Sequence, residues 1–321
     1  MKLLKSTAAI AAILAVSYAN NTTSAATFTS VTDGDWNKGA TWGLVGNDEG
    51  THYPGANDDA IISTGDRVDI GSMTVSVNSL VIRDIASGTP GILEMQDSGV
   101  LQIESSIDVE DSETVPGVLR FVGTTGTPGE LRAAAAGVTL DGPYTVPQAL
   151  GAKFGFDLSN DSFSFQSGAT LSTASGDVTI SSLFTNNGVL DATSGDISIT
   201  GTFTNNLDAI LRSTGGAVTV SGASENDGIY QVNGANMTIS GQLDTASTGM
   251  FRLTSNHTMT FQDGSEVTGD ISAHFNVQDG TLLFNGSHST DGGFEQTGGT
   301  VQVDANESFE AKGLYNSGAG T

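Results

Sequence analysis

Seven short segments between Ser175 and Val303 repeat one pattern at a spacing of roughly 19 to 23 residues. They read SGDVTI from Ser175, SGDISI from Ser194, GGAVTV from Gly215, GANMTI from Gly234, HTMTF from His257, GTLLF from Gly280 and GTVQV from Gly299. A fixed period of this length marks a stacked repeat, in which no unit buries its own apolar face and neighbours must do it together. The first apolar pairs are Val178/Ile180, Ile197/Ile199, Val218/Val220, Met237/Ile239, Met259/Phe261, Leu282/Phe284 and Val301/Val303. Two-residue alternation puts both members of a pair on one side of a strand. Five pairs have a glycine two positions earlier (Gly176, Gly195, Gly216, Gly280, Gly299), where a corner needs positive φ or close approach.

A second apolar run follows in several units: VL at Val189, AIL at Ala209, GIYQV at Gly228 and GMFRL at Gly249. Two or three short strands in about 20 residues make one coil of a β-solenoid. Parallel stacking at about 4.8 Å per coil gives the seven coils a length of roughly 34 Å. Each Val, Ile, Leu or Phe placed in an interior ladder contributes about 1.5–3 kcal/mol. Asn186 and Asn187 recur as Asn205 and Asn206, then as Glu225 and Asn226. Two readings compete for them: a ladder of amides bonded from coil to coil, and plain turn chemistry. An antiparallel sandwich also fits turn signals every 8–12 residues, but its strands need not return at a fixed interval. The solenoid is therefore expected.

The chain divides further by composition. Lys2 and Lys5 precede an apolar run from Ala8 to Val16, with Ser17-x-Ala19 and Thr23-x-Ala25 as cleavage sites, so residues 1–25 read as a signal peptide. Nine apolar residues are too few for a membrane span, which needs about 20. Residues 26–59 form an irregular lead-in holding Trp36 and Trp42, and residues 60–122 carry the first strand-like runs. Residues 123–165 read as an irregular insertion, with four of the six prolines in or near it (Pro116, Pro128, Pro143, Pro147). Within it, Glu130 to Gly137 is the one plausible helical patch, or a turn of a capping segment. Residues 166–321 are the regular repeat, which breaks off at FEAKGLYNSGAGT without a polar cap and is expected to continue beyond the chain.

Charge and cysteine usage narrow the partners. The net charge is −25, from 36 acidic and 11 basic residues, and there is no cysteine. Nucleic acid and anionic lipid both require basic side chains, so both are disfavoured. Neither a disulfide framework nor a thiolate metal site is available. The acidic excess favours solubility, cation binding or a saline habitat.

TW at Thr41, YPGANDDAII from Tyr53, GDRVDI from Gly65 and VNSLVI from Val77 resemble the opening of large bacterial surface proteins built as right-handed parallel β-helices. The later TFTNN and GxL repeats look like those of adhesins and autotransporter passengers. The resemblance covers most of the chain after its leader. It implies an all-β, right-handed parallel β-helix and an exported, extracellular or outer-surface role. Its partners would be cell-envelope or extracellular carbohydrate or protein surfaces, with self-association an added option. It carries no catalytic residue, and the translocator barrel of a true autotransporter is missing from this sequence.

Candidate site residues are few. Asp58 and Asp59 sit at a turn before a strand, as turn formers or as oxygen ligands for calcium. Trp36 and Trp42 either cover the first coil or stack on carbohydrate. Asp177 and Asp196 hold equivalent places on adjacent coils, and Asp108, Glu110, Asp111 and Glu113 form an acidic cluster; both sets read as solvated. His52, His257, His274 and His288 share no repeat phase. Arg67, Arg83, Arg120 and Arg132 would be the basic residues of a catalytic groove, but nothing in the sequence brings them to carboxylates. The expected function is a non-catalytic structural or adhesive rod without cofactor. A polysaccharide lyase or hydrolase on the same fold and a calcium-dependent surface-layer subunit stand as alternatives.

Overall fold

The computed structural model describes residues 25–96, 98–121, 129–133, 138–145, 152–156, 162–165, 170–173, 177–181, 183–245, 248–263, 267–268, 274–290, 292–313 and 315–317. The signal peptide expected over 1–25 lies outside them, except for its last residue. Among the described residues the only helix is one 3-10 turn, Gly39–Trp42. The strands are two to ten residues long and, in every named pair, parallel. The protein is a parallel β-solenoid with about 21 residues per coil.

Each regular coil presents three faces. The first carries Val178–Ile180, Ile197–Ile199, Val218–Val220, Met237–Ile239, Thr258–Phe261, Thr281–Phe284 and Thr300–Val303. Their register pairs Val178 with Ile197, Ile197 with Val218, Val218 with Met237, Met237 with Met259, Met259 with Leu282 and Leu282 with Val301. Ile180, Ile199, Val220, Ile239, Phe261, Phe284 and Val303 make the parallel row. This is the ladder expected from the repeat. Its members from Val178 to Phe284 are buried, whereas Val301 and Val303 are half-buried because no described coil covers their outer side.

The second face comes from Leu183–Asn186, Phe203–Asn205, Ser224–Asn226 and Leu243–Thr245, and the third from Val189–Ala192, Ile210–Ser213, Ile229–Val232, Met250–Leu253, His274–Val277 and Phe294–Gln296. Inside the third face run Leu190, Leu211, Tyr230, Phe251, Phe275 and Phe294, all buried. Phe251 and Phe275 stack at 4.9 Å, and Phe275 and Phe294 at 5.9 Å. An offset or edge-on aromatic pair adds about 0.5–1.5 kcal/mol beyond its buried area. In the strands Val189–Ala192, Ile210–Ser213, Ile229–Val232 and Met250–Leu253, then, the second residue points inward. Val189, Ile210, Ile229 and Met250 face out and are half-buried.

Of the two readings of TNN, the amide ladder is the one found: Asn186, Asn205 and Asn226 lie within second-face strands and point into the core. Three expectations need correction. Asn205 pairs with Asn226 and Thr204 with Glu225, so the aligned third member is Asn226 rather than Glu225. The stretch 123–165 is not an insertion set apart from the stack. Its described strands Glu130–Ala133, Val138–Asp141, Ala152–Phe156 and Ser162–Phe165 pair in parallel with coils before and after them. The coils there are simply longer, which hides the period. Glu130 to Gly137 starts as a strand rather than a helix, with Leu131 buried in the first-face ladder above Leu101; residues 134–137 lie outside the described set.

Two corner glycines show why the repeat keeps them. Gly280 adopts φ of 78°, a left-handed conformation that costs side-chain-bearing residues energy. At Gly216 the constraint is distance: a Cβ there would sit 1.9 Å from the Gly195 carbonyl oxygen one coil below.

Candidate functional site

At the N-terminal end, Trp36 is fully buried and Trp42 nearly so, with ring centroids 5.2 Å apart, edge to face. The Trp42 indole N–H donates to the Trp36 carbonyl at 2.7 Å, and Phe28 packs edge-on against Trp42. Their faces are covered by protein, so carbohydrate stacking has no surface to use there. Asp58 is buried, and its two carboxylate oxygens accept the backbone N–H groups of Ala26 and Gly55 at 2.9 and 3.0 Å. Asp59 points to the other side of the strand. One of its oxygens accepts Asn78 Nδ2 at 2.8 Å and the Ser79 hydroxyl at 2.5 Å. The two carboxylates therefore do not converge on a common ligand position. Among the described residues no three His, Cys, Asp or Glu side chains are grouped to hold a metal ion.

The paired aspartates of the repeat stitch coils together. Asp177 accepts the backbone N–H of Asp196 at 2.9 Å, and Asp196 that of Ala217 at 2.7 Å. Asn236 does the same for Thr258 at 2.9 Å. Inside, Asn186 Nδ2 donates to Asn205 Oδ1 and Asn205 Nδ2 to Asn226 Oδ1, both at 2.9 Å. The row closes at Thr245, where Asn226 Nδ2 and Thr245 Oγ1 are both enclosed without a partner. The amide ladder read from the sequence is present in its first two units, with Asn206 Nδ2 also donating to Asn187 Oδ1 at 2.7 Å; only the third unit is shifted by one residue, Asn226 taking the place expected for Glu225.

The groups proposed for a catalytic groove are dispersed. Arg67 and Arg120 lie on the third face beside Asp69 and Glu94, at 3.3 and 2.9 Å. Arg83 pairs with Glu110 after the second face, and Arg132 with Glu130 on the first, at 3.0 Å. Each is neutralised locally, and no single groove collects them. The acidic cluster is likewise tied in: besides Glu110 on Arg83, the Glu113 backbone N–H donates to Asp84 at 2.7 Å. Burial raises the Asp108 carboxyl above its ordinary pKa, with the neighbouring charges of Asp141 and Glu110 adding to the effect. The histidines stay apart. His52 faces Asp48 at 3.3 Å, and His288 packs on the Phe284 ring, where burial lowers its pKa.

What remains is the outer surface. The first face presents a hydroxyl row, Thr179, Ser198, Thr219, Thr238 and Thr260, in register from coil to coil. The third face presents two rows. One is the aliphatic row ending at Met250. The other runs Asp191, Arg212, Gln231, Arg252, Asn276 and Glu295. Where the aliphatic row gives way to His274 and Gly293, a cleft of about 400 Å³ opens, lined also by Met250, Asn276 and Glu295. This cleft was not legible in the sequence, because its residues belong to three different coils. No protein-family model matches the chain, and neither does any curated protein or solved structure.

Proposed function

We propose that the chain is a non-catalytic structural or adhesive rod that works outside the cell, at an outer surface. The observation that carries this reading is the parallel coil-to-coil register, which runs strand to strand from Thr74–Ile82 to Thr300–Val303 along the first face and from Pro143–Thr145 to Tyr315–Ser317 along the third. Such an array is stiff along its axis and repeats the same side-chain rows at the strand spacing of about 4.8 Å. That geometry suits a spacer or a surface for multiple weak contacts with carbohydrate or protein of the cell envelope. The leader-like residues 1–25 support export, and the charge of −25 supports solubility. The ionisable residues on which a polysaccharide-cleaving site would draw are paired with each other on separate faces.

Expression of the full chain with and without residues 1–25 tests the reading. The expected result is leader-dependent recovery outside the cytoplasm and an elongated particle by small-angle scattering. A panel of polysaccharides should yield no new reducing ends or unsaturated products. Retention of the full chain in the cytoplasm, a spherical particle or turnover of any polysaccharide would each overturn it.

A further inference from the structure

The chain has six arginines and a sixfold smaller supply of unpaired ones: among the described residues, Arg252 alone lacks a carboxylate partner. One terminal nitrogen of Arg252 donates to the Met250 sulfur at 3.2 Å, and its Nε is enclosed without an acceptor. In the same row, Arg212 holds Asp191 through two nitrogens, at 2.5 and 3.1 Å. A half-buried guanidinium with no counter-ion is costly, because desolvation is not offset by pairing. In a chain with 36 acidic residues a partner would be easy to supply.

The neighbouring groups are unsatisfied in a complementary way. Asn276, the register partner of Arg252, donates its Nδ2 to Glu295 at 3.1 Å while its Oδ1 is enclosed without a donor. Both Asn276 and Glu295 line the cleft, and so does Met250, whose sulfur touches the guanidinium. The cleft of about 400 Å³ falls in the range of small-ligand sites, which combine apolar walls with a few placed polar groups.

The geometry points to a binding subsite for a carboxylate-bearing sugar, a uronate residue, on the third face at Arg252. A guanidinium fork matches a carboxylate in two parallel hydrogen bonds. The exposed Glu295 carboxylate accepts from ring hydroxyls, and Met250, which lines the cleft, supplies the apolar surface beneath the ring. Glu295 also disfavours an acidic peptide, whose second carboxylate it would repel. The inference does not depend on the rod being an outer-surface structure, since the subsite would bind in the isolated chain.

Saturation-transfer NMR on the full chain, with D-glucuronate, D-glucose and acetate as probes, tests it. Saturable binding of glucuronate is expected, with glucose and acetate each at least tenfold weaker. Arg252→Gln should lower glucuronate affinity tenfold or more at an unchanged melting temperature. Arg252→Lys keeps the charge without the fork, so it should fold as the natural chain does and fall between the two. No saturable glucuronate binding, equal binding of glucose, or undiminished binding by Arg252→Gln overturns the subsite. Acetate binding as tightly as glucuronate overturns the sugar assignment. If Arg252→Gln does not fold, undiminished affinity in Arg252→Lys overturns the two-bond carboxylate contact.

Discussion

At the residue scale, the interior asparagines are the clearest case of polar groups holding a core. Asn205 bonds to Asn186 below and Asn226 above, and it is fully buried. Asn205→Ala should cost about 2–4 kcal/mol, since it removes both amide–amide bonds, leaves the buried Asn226 Oδ1 without its donor and opens a cavity. The shift of the urea midpoint reads this directly. Thr245→Asn should do the reverse: it places an acceptor opposite Asn226 Nδ2 and extends the row, for a gain of about 1 kcal/mol. Asp108 gives a pH test. Its raised pKa means that the folded state binds its proton more tightly than the unfolded chain does. The associated stability is present in acid and is lost as pH rises through the folded-state value. Asp108→Asn should therefore raise the melting temperature at pH 7 and make no difference well below the carboxylate range. A variant less stable than the natural chain at pH 7 would contradict that account.

At the scale of the element, the first-face strands were legible because apolar residues at i and i+2 leave one arrangement once the period is fixed. The second face was not. TFTN alternates Phe and Asn on its inward side, and two adjacent asparagines in a sequence suit an amide ladder and a turn equally. The third face was half legible: its runs were visible, but GIYQV does not say whether Ile229 or Tyr230 points inward. The cleft was out of reach altogether, because contacts between coils do not appear along the chain. Ile199 lies fully buried between Ile180 and Val220. Ile199→Asp should therefore be severely destabilising, by more than about 4 kcal/mol, because the charge has no partner in the stack. Gly216→Ala should cost about 1–3 kcal/mol through overpacking against the coil below. Circular dichroism during denaturant titration measures both.

At the scale of the whole molecule, every coil rests only on its immediate neighbours. Stability in such an array is close to a sum of coil and interface contributions, so cooperativity need not extend from end to end. The nine-stranded sheet of the third face alone spans roughly 40 Å at the strand spacing. Both tryptophans of the chain sit at one end of this length, in contact with each other. Their ultraviolet emission therefore watches a single terminus, while far-ultraviolet dichroism averages over the full stack. The two signals should lose structure at different urea concentrations, so the molecule carries a built-in gauge of which end lets go first.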